Sequence, residues 1–198
     1  MDQTFKENES RRFRKALYAR GIRAQEMRGS ALSRSWWARQ WRANVEAMGV
    51  GSRYGKGRNY AADGQVLELK IAFSHVEGII LGSRPTPYTV TLDFRAPEGK
   101  ARERLIALLR EEPITAARLL ADDLPTRVEE IFRSEGFTLF PGGKLGPGKY
   151  DMTCQCSCPD WANPCKHVTA LLVLLGEEVA RRPATLLELR GIAVEELI

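Results

Sequence analysis

All four cysteines of this chain fall within one short segment, between Cys154 and Cys165. Cysteines so close together cannot cross-link distant parts of a fold, as the disulfides of small secreted domains do. In a reducing compartment, a compact cysteine cluster more often binds a metal ion or carries out redox chemistry. The segment therefore predicts a local site that fixes the geometry of the chain around it.

The spacing within this segment supplies a complete set of metal ligands. The set consists of Cys156, Cys158, Cys165 and His167, in the pattern C-x-C-x6-C-x-H. Three thiolates and one imidazole fill the tetrahedral shell of a structural zinc ion. Asn163 and Pro164 are suited to be the N-cap and first residue of a helix. Cys165 would then lie at the mouth of that helix and His167 in its first turn.

Cys154 leaves the first ligand pair open. In a strand, Cys154, Cys156 and Cys158 point to the same side, so Cys154 can replace one of the other two. We favour Cys156 and Cys158 because Pro159 and Asp160 then begin the loop directly. In either arrangement the metal joins a strand end to a helix.

The same residues argue against an enzyme. Four protein ligands leave a zinc ion no open position for water, so catalytic zinc is not expected. A nucleophilic Cys165–His167 pair would be consumed by ligation. The second histidine, His75, lies at a predicted turn, and the paired acids of the helical region lack a nearby His or Lys for acid–base work. The sequence thus predicts no catalytic residue.

The rest of the chain predicts an α+β fold in five regions. They are a basic N-terminal arm or helix (1–35), a Trp-rich helix with a small antiparallel sheet (36–95), a helical segment (96–136), a C-terminal ββα-like zinc finger (137–176) and a helical tail (177–198). Composition shifts and changes of hydrophobic period set these boundaries.

Periodicity and turn signals place the individual elements. Ser35 is the expected N-cap of a helix with Trp37, Trp41, Val45 and Met48 along one face. The glycine-rich stretch 49–64 is predicted to be a loop, followed by alternating strands over 65–71, 76–82 and 88–94. Three helices follow residue 98, the second and third starting near Pro113 and Pro125. Strands over 137–140 and 150–156 lead into the cysteine cluster, and a last helical region begins at 168.

Positive charge is concentrated at the front of the chain. Residues 1–60 hold 14 Lys and Arg against 5 Asp and Glu, a net charge of +9, whereas the whole chain carries +5. Such asymmetry is typical of a surface that faces a polyanion, although a solvated basic helix has the same composition.

Candidate nucleic-acid contacts lie in the predicted loop and beside the ligands. Arg53, Lys56 and Arg58 are interleaved with tyrosines. Basic side chains neutralise phosphates and aromatic rings stack on unpaired bases, although an exposed basic turn reads the same way. Lys166, between two ligands, is a further candidate phosphate contact, and Trp161 is predicted to cover the metal loop as an apolar lid.

The sequence gives no support for membrane insertion or export. The longest apolar run, from Val168 to Leu175, is far short of the ~20 residues that a spanning helix needs. The first twelve residues carry charges of both signs and lack the apolar core of a signal peptide. A cytoplasmic location is therefore expected.

The cysteine segment closely resembles the SWIM zinc finger, with Cys-Pro-Asp-Trp and Pro-Cys-Lys-His inside the ligand pattern. Further motifs follow the order of bacterial SWIM proteins and extend the resemblance over roughly residues 36–191. They are Trp36-Trp37…Trp41, Arg58-Asn-Tyr60-Ala, Gly64-Gln-Val66, Gly82-Ser-Arg84-Pro-Thr-Pro87-Tyr88-Thr-Val90, Leu139-Phe140-Pro141 and Leu186-Leu187-Glu-Leu189-Arg190-Gly191.

The resemblance also implies ligands, function and partners. By this resemblance the ligands are Cys156, Cys158, Cys165 and His167, and Cys154 stands outside the set. The family is regarded as a DNA-binding or protein-interaction module, and its bacterial members often accompany a Swi/Snf-type helicase-like ATPase. The expected function is that of a nucleic-acid-binding or adaptor factor in DNA transactions, with DNA as the expected partner and RNA as the second candidate. The alternative is a protein-interaction scaffold with no nucleic-acid contact.

Overall fold

The computed structural model describes residues 20–25, 34–140, 144–146 and 149–198. The predicted basic arm over 1–35 lies largely outside these residues. Within the described part of that arm, Ile22 forms an antiparallel bridge with Val66. The described residues form an α+β structure, as the sequence predicts.

The helices and strands follow one another in a simple order. The helices are α1 (Trp36–Ala47), α2 (Ser52–Ala62), α3 (Gly99–Arg110), α4 (Pro113–Leu120), α5 (Thr126–Ser134), α6 (Lys166–Arg181) and α7 (Thr185–Glu188), with a 3-10 helix over Val194–Leu197. The strands are β1 (Val66–Ala72), β2 (His75–Ile80), β3 (Tyr88–Phe94), β4 (Lys144–Gly146), β5 (Lys149–Tyr150) and β6 (Met152–Cys156). Among the described residues, no helix combines the length and the apolar character needed to span a bilayer.

Most predicted elements are present where the sequence places them. Ser35 caps α1 by accepting a hydrogen bond from the backbone N–H of Ala38. The first three strands agree with the prediction to within two residues, and the three helices after residue 98 are all found. The predicted strand over 137–140 is wrong. Among the described residues this segment pairs with no strand, and it contains the buried side chains of Leu139 and Phe140.

The predicted loop over 49–64 is also wrong, because most of it is the helix α2. Gly57 and Ala61 form its buried face. A Cβ atom on Gly57 would lie 2.5 Å from Cβ of Thr169 in α6. The glycine therefore allows two helix backbones to pack closely, which outweighs its low intrinsic helix propensity.

A four-stranded antiparallel sheet carries the metal-binding segment. Its strand order is β1-β2-β3-β6. Along β3 the residues alternate between buried and more exposed, so one face of the sheet packs against the core. Strand β6 lies in the predicted finger region, whereas β1, β2 and β3 lie in the predicted sheet region. One sheet therefore contains strands from both regions. The five-region division itself stays a prediction.

Helix α6 is the centre of the core. It is buried on nearly every side, and its Leu171 side chain fills the space above Gly78 of β2. Trp41 of α1 donates its indole N–H to the carbonyl of Leu172, 3.1 Å away. The helix thus packs against the sheet, α1 and α2 at once, and its N-terminal end is where the metal-binding residues lie.

A buried ion pair joins the C-terminal segment to the sheet. Arg190 and Asp151 are both almost fully buried, and a guanidinium nitrogen donates to the carboxylate at 2.5 Å. Arg190 also donates to the carbonyls of Leu139 and Arg95. Burial lowers the pKa of Arg190, while the Asp151 charge opposes that change. The pair therefore anchors the residue that directly precedes β6.

Candidate metal centre

Three structural elements bring the four predicted ligands together. Cys156 is the last residue of β6, opposite Val90 of β3, and Cys158 lies two residues beyond it. Cys165 is the N-cap of α6, and His167 lies in the first turn of that helix. The sheet edge and the helix start therefore face each other across the cluster.

The geometry of the cluster suits a tetrahedral metal ion. One ligand atom from each of the four residues lies within 4.8 Å of all the others. The Sγ atoms of Cys158 and Cys165 are 3.7 Å apart, and Nδ1 of His167 lies 3.8 Å from Sγ of both Cys156 and Cys165. A tetrahedral zinc ion with bonds of about 2.3 Å to sulfur and 2.0 Å to nitrogen sets such edges at about 3.5–3.8 Å. The residues present therefore fit zinc.

The protonation of the cluster favours metal binding at the helix start. The hydrogen bond with Cys156, helped by His167 and the backbone N–H of Val168 and opposed by burial, lowers the pKa of Cys165 to about 4. The same hydrogen bond, together with burial, raises the pKa of Cys156. Cys165 is therefore the first thiolate of the cluster, and a bound cation removes the remaining thiol protons.

Cys154 lies outside the cluster, in a pairing of its own. Its thiol donates to Oδ1 of Asn163 at 2.8 Å, and the amide nitrogen of Asn163 donates to the carbonyl of Cys154 at 2.7 Å. Burial raises the pKa of Cys154 to about 11, which favours the thiol over the thiolate that metals need. Asn163 is therefore not the helix cap that the sequence predicts, and α6 begins two residues after Pro164.

Two tyrosines that the sequence analysis did not assign to the site hold His167 in place. The imidazole lies 5.3 Å from the ring of Tyr60 and 4.7 Å from that of Tyr88, centroid to centroid. Gly82 passes so close that a Cβ atom there would lie 2.6 Å from the Tyr88 ring. Both tyrosines occur in the motifs that resemble bacterial SWIM proteins, which was the signal for them. Packing on both sides orients Nδ1 toward the thiols.

The predicted apolar lid over the metal loop is wrong. Trp161 is 91% exposed. The aromatic rings that pack against His167 of the centre are those of Tyr60 and Tyr88. The Trp161 side chain extends into solvent from the loop between Cys158 and Cys165.

Of the predicted nucleic-acid contacts, Arg58 lies on a different flank of α2 from Arg53 and Lys56. The Arg53 guanidinium lies 5.7 Å from the ring centre of Trp161, and the Lys166 ammonium lies 4.8 Å from that of Tyr60. Lys56 is exposed on the same flank of α2 as Arg53. Arg58 lies about 140° around the helix from Arg53, against the Tyr54 ring at 5.9 Å.

Comparison with known proteins agrees with this geometry. Residues 147–176 match the family model of the SWIM zinc finger. This chain carries a SWIM zinc finger. Its residues Cys156, Cys158, Cys165 and His167 are positioned to bind a metal ion, and the metal of this finger is zinc.

Over a longer stretch, the chain is similar to a mycobacterial protein. It is 35% identical over 178 residues to the uncharacterized protein Rv2102 of Mycobacterium tuberculosis. The alignment covers 90% of this chain and 62% of that relative, so the chain spans less than two thirds of its length. No solved structure matches the chain significantly.

Proposed function

We propose that this protein is a non-catalytic, nucleic-acid-binding factor whose binding face is built on a SWIM zinc finger. The observation that carries the proposal is the contact between α2 and the finger. Arg53 lies against Trp161 of the finger and Lys166 lies against Tyr60 of α2. The basic helix α2 and a lysine of the finger, far apart in sequence, thus lie on one surface.

The charge of α2 supports a polyanionic partner. Its residues include Arg53, Lys56 and Arg58 and no acidic residue. We define the α2–finger face as Arg53, Lys56, Lys166 and Trp161, and we place Arg58 at its far margin because it lies on the other flank of the helix. Lys and Arg side chains on such a face neutralise phosphates and release counterions.

The role of the zinc ion in this proposal is structural. Cys156, Cys158, Cys165 and His167 ligate it, and these four ligands complete a tetrahedral shell that leaves no position for a reacting water. The bound cation supplies the attraction that holds the end of β6 against the start of α6. The face therefore depends on the metal for its shape and not for chemistry.

Metal analysis of matched serine variants tests the ligand set. Cys154→Ser is expected to keep one zinc ion per chain, because the thiol of Cys154 is hydrogen-bonded to Asn163 and is not among the four clustered ligands. Cys158→Ser is expected to lose the ion. Elemental analysis of the two purified proteins, which differ only in the thiol that is replaced, measures the zinc content of each. Zinc lost from the first variant and kept by the second would contradict the assignment.

Binding to duplex DNA across a salt series tests the proposed function. Each phosphate contact contributes about −0.9 to the slope of log affinity against log salt. We expect the double variant Arg53→Ala/Lys56→Ala to flatten that slope by about 1–2 and to weaken binding, because both contacts lie on the face. Arg58→Ala is expected to change the slope by less than about 0.9.

The control removes the same charge elsewhere. Lys100→Ala/Arg104→Ala also deletes two positive charges, both from α3, and is expected to leave the slope unchanged. All variants are first shown to hold zinc. If wild-type protein binds neither DNA nor RNA, or if both double variants behave alike, the α2–finger face is not a nucleic-acid interface.

A protein-interaction scaffold is the second candidate, and α4 favours it. Ile114 is 73% exposed and Leu120 is 59% exposed on this short helix. Larger exposed apolar patches are typical of protein contacts, and these two side chains are where such a contact is proposed. The two functions are compatible, since a factor that works beside a Swi/Snf-type helicase-like ATPase, as the family resemblance implies, needs both a nucleic-acid face and a protein face. We propose the cytoplasm as its location.

A further inference from the structure

Trp161 differs from the other tryptophans in its exposure to solvent. Trp36, Trp37 and Trp41 each donate the indole N–H to a backbone carbonyl of another segment, namely those of Leu124, Ala180 and Leu172. Trp161 is 91% exposed, the highest value among the large apolar side chains that are exposed in the described part of the chain. Exposing an indole to water is unfavourable, at roughly 25 cal/mol per Å² of apolar surface. An indole in this position is therefore available for a ligand.

The loop that carries Trp161 is fixed at several points. The side chain of Asp160 accepts a hydrogen bond from the backbone N–H of Ala162 at 3.1 Å. Asn163 is held by two hydrogen bonds to Cys154 of β6. The ligands Cys158 and Cys165 bracket the loop. Because the backbone is already ordered, a ligand that contacts the indole pays little conformational entropy to do so.

A cation lies beside the indole. The Arg53 guanidinium is 5.7 Å from the ring centre of Trp161, and both side chains belong to the α2–finger face. Base stacking on an aromatic ring next to a basic side chain is the usual arrangement for binding single-stranded nucleic acid. In a duplex the bases are stacked on each other, so an indole at the tip of a loop has no free base to contact.

We propose that Trp161 is a stacking platform for one unpaired base of a single-stranded nucleic acid, with Arg53 contacting the adjacent phosphate. This proposal rests on the nucleic-acid function proposed above and narrows it to single strands. The duplex is bound through phosphate contacts alone, whereas the single strand gains a stacked base in addition.

The test compares one labelled strand in two states. A fluorescein-labelled DNA strand of about 15 nucleotides, a length that covers typical single-strand sites, is used alone and annealed to its complement at one salt concentration. Trp161→Ala is expected to weaken binding of the single strand by about fivefold or more, the loss of one stacked base. Its affinity for the duplex is expected to stay within about twofold of wild type.

Two further variants separate stacking from a loss of structure. Trp161→Phe keeps an aromatic ring and is expected to recover most of the single-strand affinity. Wild-type indole fluorescence is expected to be quenched by the strand, and Trp161→Phe is expected to lose this quenching because the remaining tryptophans are buried in the core or packed against it. Phe73→Ala removes another exposed aromatic side chain, beside the His75–Asp93 end of the sheet and away from the metal, and is expected to change nothing.

The outcomes distinguish this proposal from the broader one. If wild type binds in a salt-dependent way and Trp161→Ala binds equally well, Trp161 is not a stacking platform. The proposed nucleic-acid function would still hold. An equal loss of affinity for strand and duplex would overturn the single-strand preference. No binding of wild type to either probe would overturn both proposals.

Discussion

Removing the zinc ion is expected to unfold the hydrophobic core together with the finger. The sequence alone favours local unfolding, because residues 141–176 look like a short module behind an independent sheet. In the structure β6 is an edge strand of that same sheet, and α6 is the helix that covers it. Loss of the metal therefore releases an edge strand and the start of the central helix at once.

The size of this effect follows from the free energy of zinc binding. Structural zinc ions bind with apparent free energies of about 10 kcal/mol or more at neutral pH. That is comparable with the whole stability of a small domain, about 5–15 kcal/mol. In addition, four partly charged ligands left close together without a cation repel each other or stay protonated. The metal-free protein is expected to lack a stable fold near 37 °C.

Hydrogen exchange in the presence of a chelator measures this directly. Protection is expected to fall in both α6 and β2, since Leu171 packs against Gly78. Cys154→Ser is the control, because it changes a thiol that is not among the four clustered ligands, and it is expected to need the same chelator concentration as wild type. Retained protection in β1–β3 after complete zinc loss would restore the earlier expectation of a finger that unfolds alone.

The parts of the site that sequence predicts are those whose residues lie close together in the chain. The ligand set of Cys156, Cys158, Cys165 and His167 is encoded within twelve residues, so its spacing alone indicates a tetrahedral centre. The strands β1 to β3 alternate in pattern, and helix α6 contains the longest apolar run. Local pattern is sufficient for these features.

What sequence does not predict depends on close approach between distant segments. Helix α2 was expected to be a loop because Gly55 and Gly57 lower helix propensity. Position 57 needs a glycine because the side chain of Thr169, more than one hundred residues away in sequence, leaves no room for a Cβ atom there. The same applies to Tyr60 and Tyr88, whose role at His167 follows from packing and not from neighbours in sequence. Tertiary contacts decide these positions.

The ion pair of Arg190 with Asp151 is a further long-range feature and leads to the second large effect. Replacing Arg190 by Met is expected to lower the free energy of unfolding by about 3–5 kcal/mol, because Asp151 is left as a buried carboxylate without its countercharge. For a chain of this size, that corresponds to a decrease of about 6–20 °C in melting temperature. The carbonyls of Leu139 and Arg95 also lose a donor. Thermal unfolding of the zinc-loaded variant measures the change.

Two further variants show whether burial of the Arg190–Asp151 pair is the cause of the expected loss of stability. Arg118→Met breaks the Arg118–Asp123 pair, which has a similar distance of 2.7 Å but about half-exposed side chains. It is expected to cost less than about 1 kcal/mol. The double variant Arg190→Met/Asp151→Leu removes both buried charges and is expected to recover at least about half of the loss, because an apolar replacement leaves no uncompensated carboxylate. If Arg190→Met costs no more than Arg118→Met, the buried pair does not anchor β6, and the C-terminal segment is held by its other contacts.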